Sequence, residues 1–346
     1  MTIKKLWERF GSLEKAWQAG EKELLSLEGL SRAPLTAFLS GRRTIDLEEE
    51  FEKTRQAGFQ VITLAAEAYP ALLKEIYDPP PVIYLKGADL LYDKAIAIVG
   101  TRNATRYGQE TARRLAYELA CCGLTIVSGM ALGIDTAAHE GALAAKGRTI
   151  AVLGTSLDII YPPANQPLAA EIAGSGAIIS EFPLGTDYER GHFPRRNRII
   201  AGLCLGTIVV EGHHDSGALI TAKQALDQGR EVFAVPGQVC FDQAKGPHWL
   251  IKNGAKLVES VDDVLEELGY FGQFPRTQNQ EPRTQTMPEL SDDEKKLLRT
   301  LSLEPKSLDH IALESGLSIP RVSSLLMMLE IKNVVRQLPG KMFTIA

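Results

Sequence analysis

The strongest pattern in the chain is a series of short, unbroken apolar runs between residues 94 and 260. AIAIVG (95–100), TIVSG (125–129), TIAVLG (149–154), AIISEF (177–182), TIVVEG (207–212) and EVFAVPG (231–237) recur at roughly 25- to 30-residue intervals. None alternates with polar residues as a half-exposed strand would, so each predicts a strand covered on both faces. Helix-length segments separate them, which predicts βαβ units and an α/β domain with a parallel sheet. In such a sheet ligands bind beyond the carboxyl ends of the strands. Two basic loops, TRNATRYG (101–108) and GHFPRRNRIIAG (191–202), follow strands and are expected at that edge.

The flanks carry different patterns. Leu6, Phe10, Leu13 and Trp17 recur at spacings of three and four and predict short helices with one apolar stripe. LLSLEGLSRAPLTAFL (24–39) then turns at Glu28-Gly29-Leu30 like a SAM or helix-hairpin-helix module. Such a hairpin can hold a phosphate at a helix start. The acidic run from Asp46 to Glu52 favours a small packing or interaction module instead. AYPALLKEIYDPPPVIYLKG (68–87) reads as a proline-rich connector, its Pro79 to Pro81 fixing an extended chain.

Beyond the sheet, residues 271–290 lose all periodicity and predict a flexible linker. Three helices and two strands around Pro339-Gly340 follow, which is the winged-helix plan. Its third helix offers only Arg321 and Lys332, beside Glu330, so protein docking is as good a reading as entry into a DNA groove. The expected division is a helical module over 1–67, the sheet domain over 68–270, the linker over 271–290 and the winged helix over 291–346.

Composition adds boundaries. The 346 residues are 45% hydrophobic and 23% charged, as in ordinary soluble domains, with no apolar run of about 18 residues to span a membrane. The amphipathic N-terminus is not a secretory signal. Four cysteines without C-x-x-C or metal spacing predict free thiols in the cytoplasm and no metal site. A net charge of −5 argues against coating nucleic acid by bulk charge but permits a local basic groove.

The candidate chemistry is recognition of phosphate. Gly100 ends the first strand, Arg102 and Arg106 follow, and a helix is expected from Gly108 to Gly123 with an anion favoured at its start. The turn is not G-x-G-x-x-G and no acid ends the second strand, so a dinucleotide is disfavoured. SGMALGID places Asp135 four residues before His139, read as a local structural contact. Asp158, Tyr161 and Pro162 shape a turn that Asn165 ends as a helix cap. Arg195, Arg196 and Arg198 crowd a loop-to-helix junction with Phe182 and Phe193 near them. Planar guanidinium groups suit phosphates and aromatic rings suit bases. The competing reading pairs these arginines with Glu181, Asp187 or Glu189. His213, His214, Asp215 and Ser216 are consecutive and cannot converge as a hydrolase triad, so Ser216-Gly217 reads as a helix cap.

GTRNATRYG, SGMALGIDTAAHEGAL, TIAVLGTSLDIIYPPAN, ISEFPLG, FPRRNRIIAGL and SGALITAKQALDQGREVFAVPG, in this order, resemble the DprA/Smf family of DNA-processing proteins. The resemblance implies an extended Rossmann-like domain between a SAM-like module and a winged helix. It implies a cytoplasmic dimer that binds single-stranded DNA in natural transformation and recombination and loads the RecA recombinase, with no enzymatic activity and no cofactor. Carried onto this sequence, Gly100, Thr101 and Arg102 form a phosphate-gripping turn with Arg106 beside it. Arg195, Arg196 and Asn197 face the DNA backbone, Phe193 lies near, and Ser128 and Gly129 offer backbone donors. The chain departs from the family pattern at EGHHDSG and at His248. Two other classes are a nucleotide phosphoribohydrolase similar to the LONELY GUY family and a transcription regulator acting through the winged helix. The first carries a PGGxGT motif where this chain reads AVPGQV.

Overall fold

The computed structural model describes residues 2–27, 32–90, 94–270, 291–302, 305–332, 334–338, 340 and 342–345. The Glu28-Gly29-Leu30 turn, the 271–290 linker and Pro339 lie outside them. The chain divides into two compact units, 1–276 and 277–346.

The first unit is built on nine strands: β1 (Gln60–Thr63), β2 (Val82–Gly87), β3 (Ala95–Val99), β4 (Thr125–Ser128), β5 (Thr149–Val152), β6 (Ala177–Ser180), β7 (Gly206–Val209), β8 (Glu231–Ala234) and β9 (Lys256–Leu257). They lie in the order β1-β2-β6-β5-β4-β3-β7-β8-β9. From β6 to β9 all pairings are parallel, while β1 and β2 are added antiparallel at one edge. The six apolar runs are thus the six strands from β3 to β8. The sheet also starts before residue 68: Gln60–Thr63 and Val82–Gly87 pair as its edge, so the expected connector contains a strand.

Among the described residues, five short helices precede the sheet: α1 (Thr2–Phe10), α2 (Leu13–Gln18), α3 (Glu21–Leu25), α4 (Arg32–Thr44) and α5 (Leu47–Gln56). Leu6, Leu24, Leu35 and Leu39 are buried among them, with Phe10 and Leu13 packed against that core. A short α6 (Ala71–Lys74) leads to β2. The crossover helices are α7 (Arg106–Cys121), α8 (Ile134–Ala144), α9 (Gln166–Ser175), α10 (His192–Gly202), α11 (Gly217–Asp227), α12 (Lys245–Lys252) and α13 (Val261–Glu267).

The pleat of β3 explains the unbroken apolar runs. Ile96 and Ile98 face one core with Leu115 and Leu119 of α7, and Ala95, Ala97 and Val99 face the other with Ile199 and Ile200 of α10. Both faces are dry, so alternation has no purpose. The chain moves outward from β3 through β4 and β5 to β6, then returns to β7 on the other side of β3. Val99 and Val209 stand level there, and the loops that follow them diverge to leave a crevice.

The second unit packs α14 (Asp292–Leu298), α15 (Leu308–Ser315) and α16 (Ile319–Ile331) with a sheet of β10 (Lys306–Ser307), β11 (Val335–Leu338) and β12 (Met342–Ile345). This is the expected winged helix. The cation near the start of α16 and the one that follows its end are both neutralised from α14: Arg321 meets Asp293 at 2.6 Å, and Lys332 meets the buried Glu294 at 2.8 Å. Among the described residues no helix is long and apolar enough to cross a membrane.

Candidate nucleic-acid interface

The crevice beside β3 is assembled by backbone contacts too close for side chains. A Cβ on Gly100 would stand 2.4 Å from Ile134 Cγ1 and 2.9 Å from the Glu211 carbonyl oxygen. Thr101 donates its N–H to that carbonyl at 2.8 Å, and its own carbonyl accepts from Ile134 N at 3.3 Å. Gly133, at φ +82°, passes over the same loop; a Cβ there would meet Thr101 O at 2.5 Å. The glycines therefore serve close packing of the basic loop between the end of β7 and the start of α8.

Helix α7 begins at Arg106 rather than Gly108, with Thr105 as its cap: Thr105 Oγ1 accepts from Gly108 N at 3.1 Å. Thr105 in turn donates its N–H and its hydroxyl to the Glu211 carboxylate, at 2.8 and 2.5 Å. The anion expected at this helix start is the protein's own side chain. A pyrophosphate would have to displace it.

Arg102 leaves the loop toward solvent, its guanidinium 5.6 Å from the Phe193 ring, and among the described residues it has no carboxylate partner. It rims a cavity of about 630 Å³ enclosed by the basic loop, the start of α10 and the start of α11. Arg190 is a second exposed cation on the rim. Three rings cluster there: Tyr161 and Tyr188 at 4.5 Å, Tyr188 and Phe193 at 5.3 Å, and Tyr161 and Phe193 at 5.7 Å. Phe193 fits because Gly154 has no side chain, since a Cβ there would lie 2.8 Å from its ring.

The floor is polar and internally satisfied. Arg196 is 4% exposed. Its Nη1 donates to the Gly129 carbonyl at 2.8 Å and to the Val152 carbonyl, and its Nε donates to Asn197 Oδ1 at 3.1 Å. Asp135 accepts from the N–H groups of Gly129 and Ala131 at 3.1 and 3.3 Å. Burial raises the Asp135 carboxyl, and the Arg196 charge opposes that rise. Burial also brings Arg196 down to about 10. Both are charge partners in the interior, where an unpaired ion is costly.

Among the expected contact residues, Gly100, Thr101, Arg102, Phe193, Arg196 and Asn197 line the cavity, whereas Arg106, Ser128, Gly129 and Arg195 do not. Ser128 is fully buried with its hydroxyl on Ile98 O at 2.7 Å, and the Gly129 N–H is taken by Asp135. The Gly129 N–H is therefore not a free donor. Arg195 follows the competing reading: its Nη2 meets Glu181 at 2.8 Å, on a carboxylate that Arg198 already grips with two nitrogens at 2.7 and 2.9 Å. Arg195 nonetheless keeps 57% of its side chain exposed. Phe182 is buried and stacked on His192 at 4.1 Å, so it offers no face to a base.

Other expectations resolve locally. His139 is buried on Thr149 Oγ1 at 2.7 Å, and burial brings it down to about 3, which keeps it neutral. Asn165 stands at the start of α9 but turns its amide to Met130 O and Thr136 Oγ1, at 2.8 and 2.9 Å, binding that helix to the SGMALGID loop instead of capping it. Ser216 begins α11 without a side-chain cap bond. Among the described residues no group of acids, histidines and cysteines could hold a metal. Arg190, Tyr188 and the clamp role of Glu211 escaped sequence reasoning, and Tyr161 was assigned only to a turn. A signal for Glu211 existed: an acid closing the apolar run TIVVEG needs buried partners.

A mostly parallel sheet with a cation-rimmed, aromatic-lined cavity at its switch point, joined to a winged helix, defines an extended Rossmann-like protein. Residues 60–269 match the family described as DNA recombination-mediator protein A, and residues 281–341 match the DprA winged helix domain. The chain belongs to the DprA/Smf family. It is 38% identical to Protein Smf of Synechocystis over 98% of this chain and 93% of that one. The crystal structure of DprA from Streptococcus pneumoniae is 39% identical, with a TM-score of 0.69, over 77% of this chain and 92% of that one. DprA from Helicobacter pylori, whose structure is described as showing a unique single-stranded DNA binding mode, is 30% identical with a TM-score of 0.56. That match covers 63% of this chain and 97% of that one.

Proposed function

We propose that this chain binds single-stranded DNA with little sequence choice and acts as a recombination mediator in natural transformation. In this reading it is a cytoplasmic homodimer that shields the incoming strand and loads the RecA recombinase onto it. The carrying observation is the convergence of two rim arginines, Arg102 and Arg190, with Tyr161, Tyr188 and Phe193 over one cavity. Cations that track a backbone beside rings that accept any base face are how sequence-tolerant single-strand binding is built. A base stacked inside a duplex cannot reach those rings; an unstacked one can.

The contributions differ by residue. Gly100 and Thr101 present the loop, Arg102 takes a phosphate, and Phe193 stacks a base. Arg196 and Asn197 shape the floor. Arg106 and Arg195, outside the cavity, are contacts for strand leaving it. The single-strand binding described for the Helicobacter pylori relative supports the same ligand here, and family membership supports the recombinase as partner. The mechanism is positioning by charge and stacking, without a chemical step or cofactor.

Fluorescence anisotropy with a labelled oligothymidine and a duplex of equal length tests the ligand. Tighter binding to the single strand, with a steep salt dependence, is expected. Tighter duplex binding overturns the proposal. RecA filament growth on strand coated with single-strand-binding protein tests loading, and no acceleration by this chain refutes that part.

A further inference from the structure

Glu211 is an unusual residue for the end of a buried strand next to an anion-binding cavity. It is 6% exposed, and among the described residues no cation pairs with it. Its carboxylate is instead held by the Thr105 N–H and hydroxyl, at the N-terminal end of the sixteen-residue α7. Partial positive charge gathers at such an end. The site is shaped for this occupant from the other side as well: a Cβ on Gly108 would stand 2.3 Å from the carboxylate. The backbone of the same residue takes part, since the Glu211 carbonyl accepts the Thr101 N–H at 2.8 Å. One residue of β7's exit therefore grips the basic loop at both ends, Thr101 and Thr105, with Arg102 between them.

We propose that Glu211 is a built-in anion. Its carboxylate fills the seat where a phosphate sits in nucleotide-binding relatives of this fold class, and by filling it holds Arg102 over the cavity. Two consequences follow. The seat is closed to the phosphates of free nucleotides, so the charge of the basic loop is left for a DNA backbone. Glu211 is also a positioning residue for strand binding, acting through Arg102 although it is itself negative. The second consequence rests on Arg102 contacting phosphate.

The test is a double-mutant cycle on the full chain, reading oligothymidine affinity over a salt series. Glu211→Ala and Glu211→Gln should each weaken binding, and Glu211→Ala should lower the salt slope by about 0.7, the loss of one single-strand phosphate contact. In an Arg102→Ala background neither should cost anything further, because the residue they position is gone. Sodium formate replacing chloride at constant ionic strength should restore affinity in Glu211→Ala and leave wild type unchanged, since formate refills the vacated seat. Tighter binding after removal of the negative charge, additive losses in the cycle, or no rescue by formate would each overturn the proposal. If Glu211→Ala does not fold, the cycle is read with Glu211→Gln, which keeps the shape of the side chain. A wild type indifferent to Arg102→Ala would mean that the phosphate role of Arg102 had failed, not the clamp.

Discussion

Replacing Arg196 with alanine should unfold the sheet unit more readily and should do so in a pH-dependent manner. The guanidinium is 4% exposed and donates to two main-chain carbonyls, those of Gly129 and Val152, and to Asn197. Its charge also opposes the rise of the buried Asp135 carboxyl. Truncation leaves those carbonyls without a donor and the carboxylate without its cation. Breaking a buried pair by removing one partner costs about 3–5 kcal/mol. At about 2–4 °C per kcal/mol for a domain of this size, the melting point should fall by about 6 to 20 °C. The sign of the pH effect follows from Asp135. Its folded-state carboxyl already lies above its ordinary value of 3.8, and without Arg196 it rises further. A group raised on folding stabilises below its unfolded value and loses that stability as pH climbs through the folded one. The deficit against wild type should therefore be largest near pH 8 and shrink toward pH 5. Scanning fluorimetry of both proteins across that range measures it. A variant that melts within about 2 °C of wild type at every pH would refute the assignment of Arg196 to the interior.

Arg102→Ala should leave the melting curve unchanged and lower the single-strand salt slope by about 0.7, as should Arg190→Ala; unaltered slopes in both would end the case for the rim. Tyr188→Ala should weaken oligothymidine binding by about 1–3 kcal/mol without changing the salt slope, because stacking and not charge is lost, and an isothermal titration at two salt concentrations separates the two. Gly133→Ala should lower both stability and affinity: its backbone, at φ +82° and ψ −119°, costs a side chain about 1–3 kcal/mol, and its Cβ would press on Thr101 O at 2.5 Å beneath Arg102. Melting and binding that both stay at wild-type levels would contradict that packing.

The architecture was legible because burial on both faces leaves an unmistakable trace. Six strands read as six apolar runs, and the place of the TRNATRYG loop at the carboxyl edge followed from parallel connectivity, whereas GHFPRRNRIIAG, read as a loop, forms helix α10 from His192 to Gly202. The edge strands β1 and β2 were hidden for the opposite reason. Gln60–Thr63 is partly exposed and Val82–Gly87 follows Pro79 to Pro81, so prolines and polar positions masked their antiparallel pairing. The aromatic rim was hidden by chain distance. Tyr161 and Tyr188 meet at 4.5 Å, but only once β5 and β6 bring their exit loops together.

The three arginines of FPRRNR show why charge density in a sequence does not measure charge available to a ligand. They are nearly consecutive on α10, where successive residues point about 100° apart and therefore into different surroundings. Arg196 turns inward and becomes the donor that holds the ends of β4 and β5. Arg198 turns to the opposite flank and locks Glu181, whose carboxylate is 2% exposed. Arg195 is left outermost and shares that same acid, so the cluster presents far less positive charge than its composition suggests. The available cations lie instead on loops, at Arg102 and Arg190, where no helical geometry dictates a partner and no described carboxylate has closed on them. Loop cations on a rigid frame can follow a flexible backbone, whereas cations fixed in the helix hold the frame itself. In the proposed function, that separation would let an acidic chain of net charge −5 retain a grip on a polyanion.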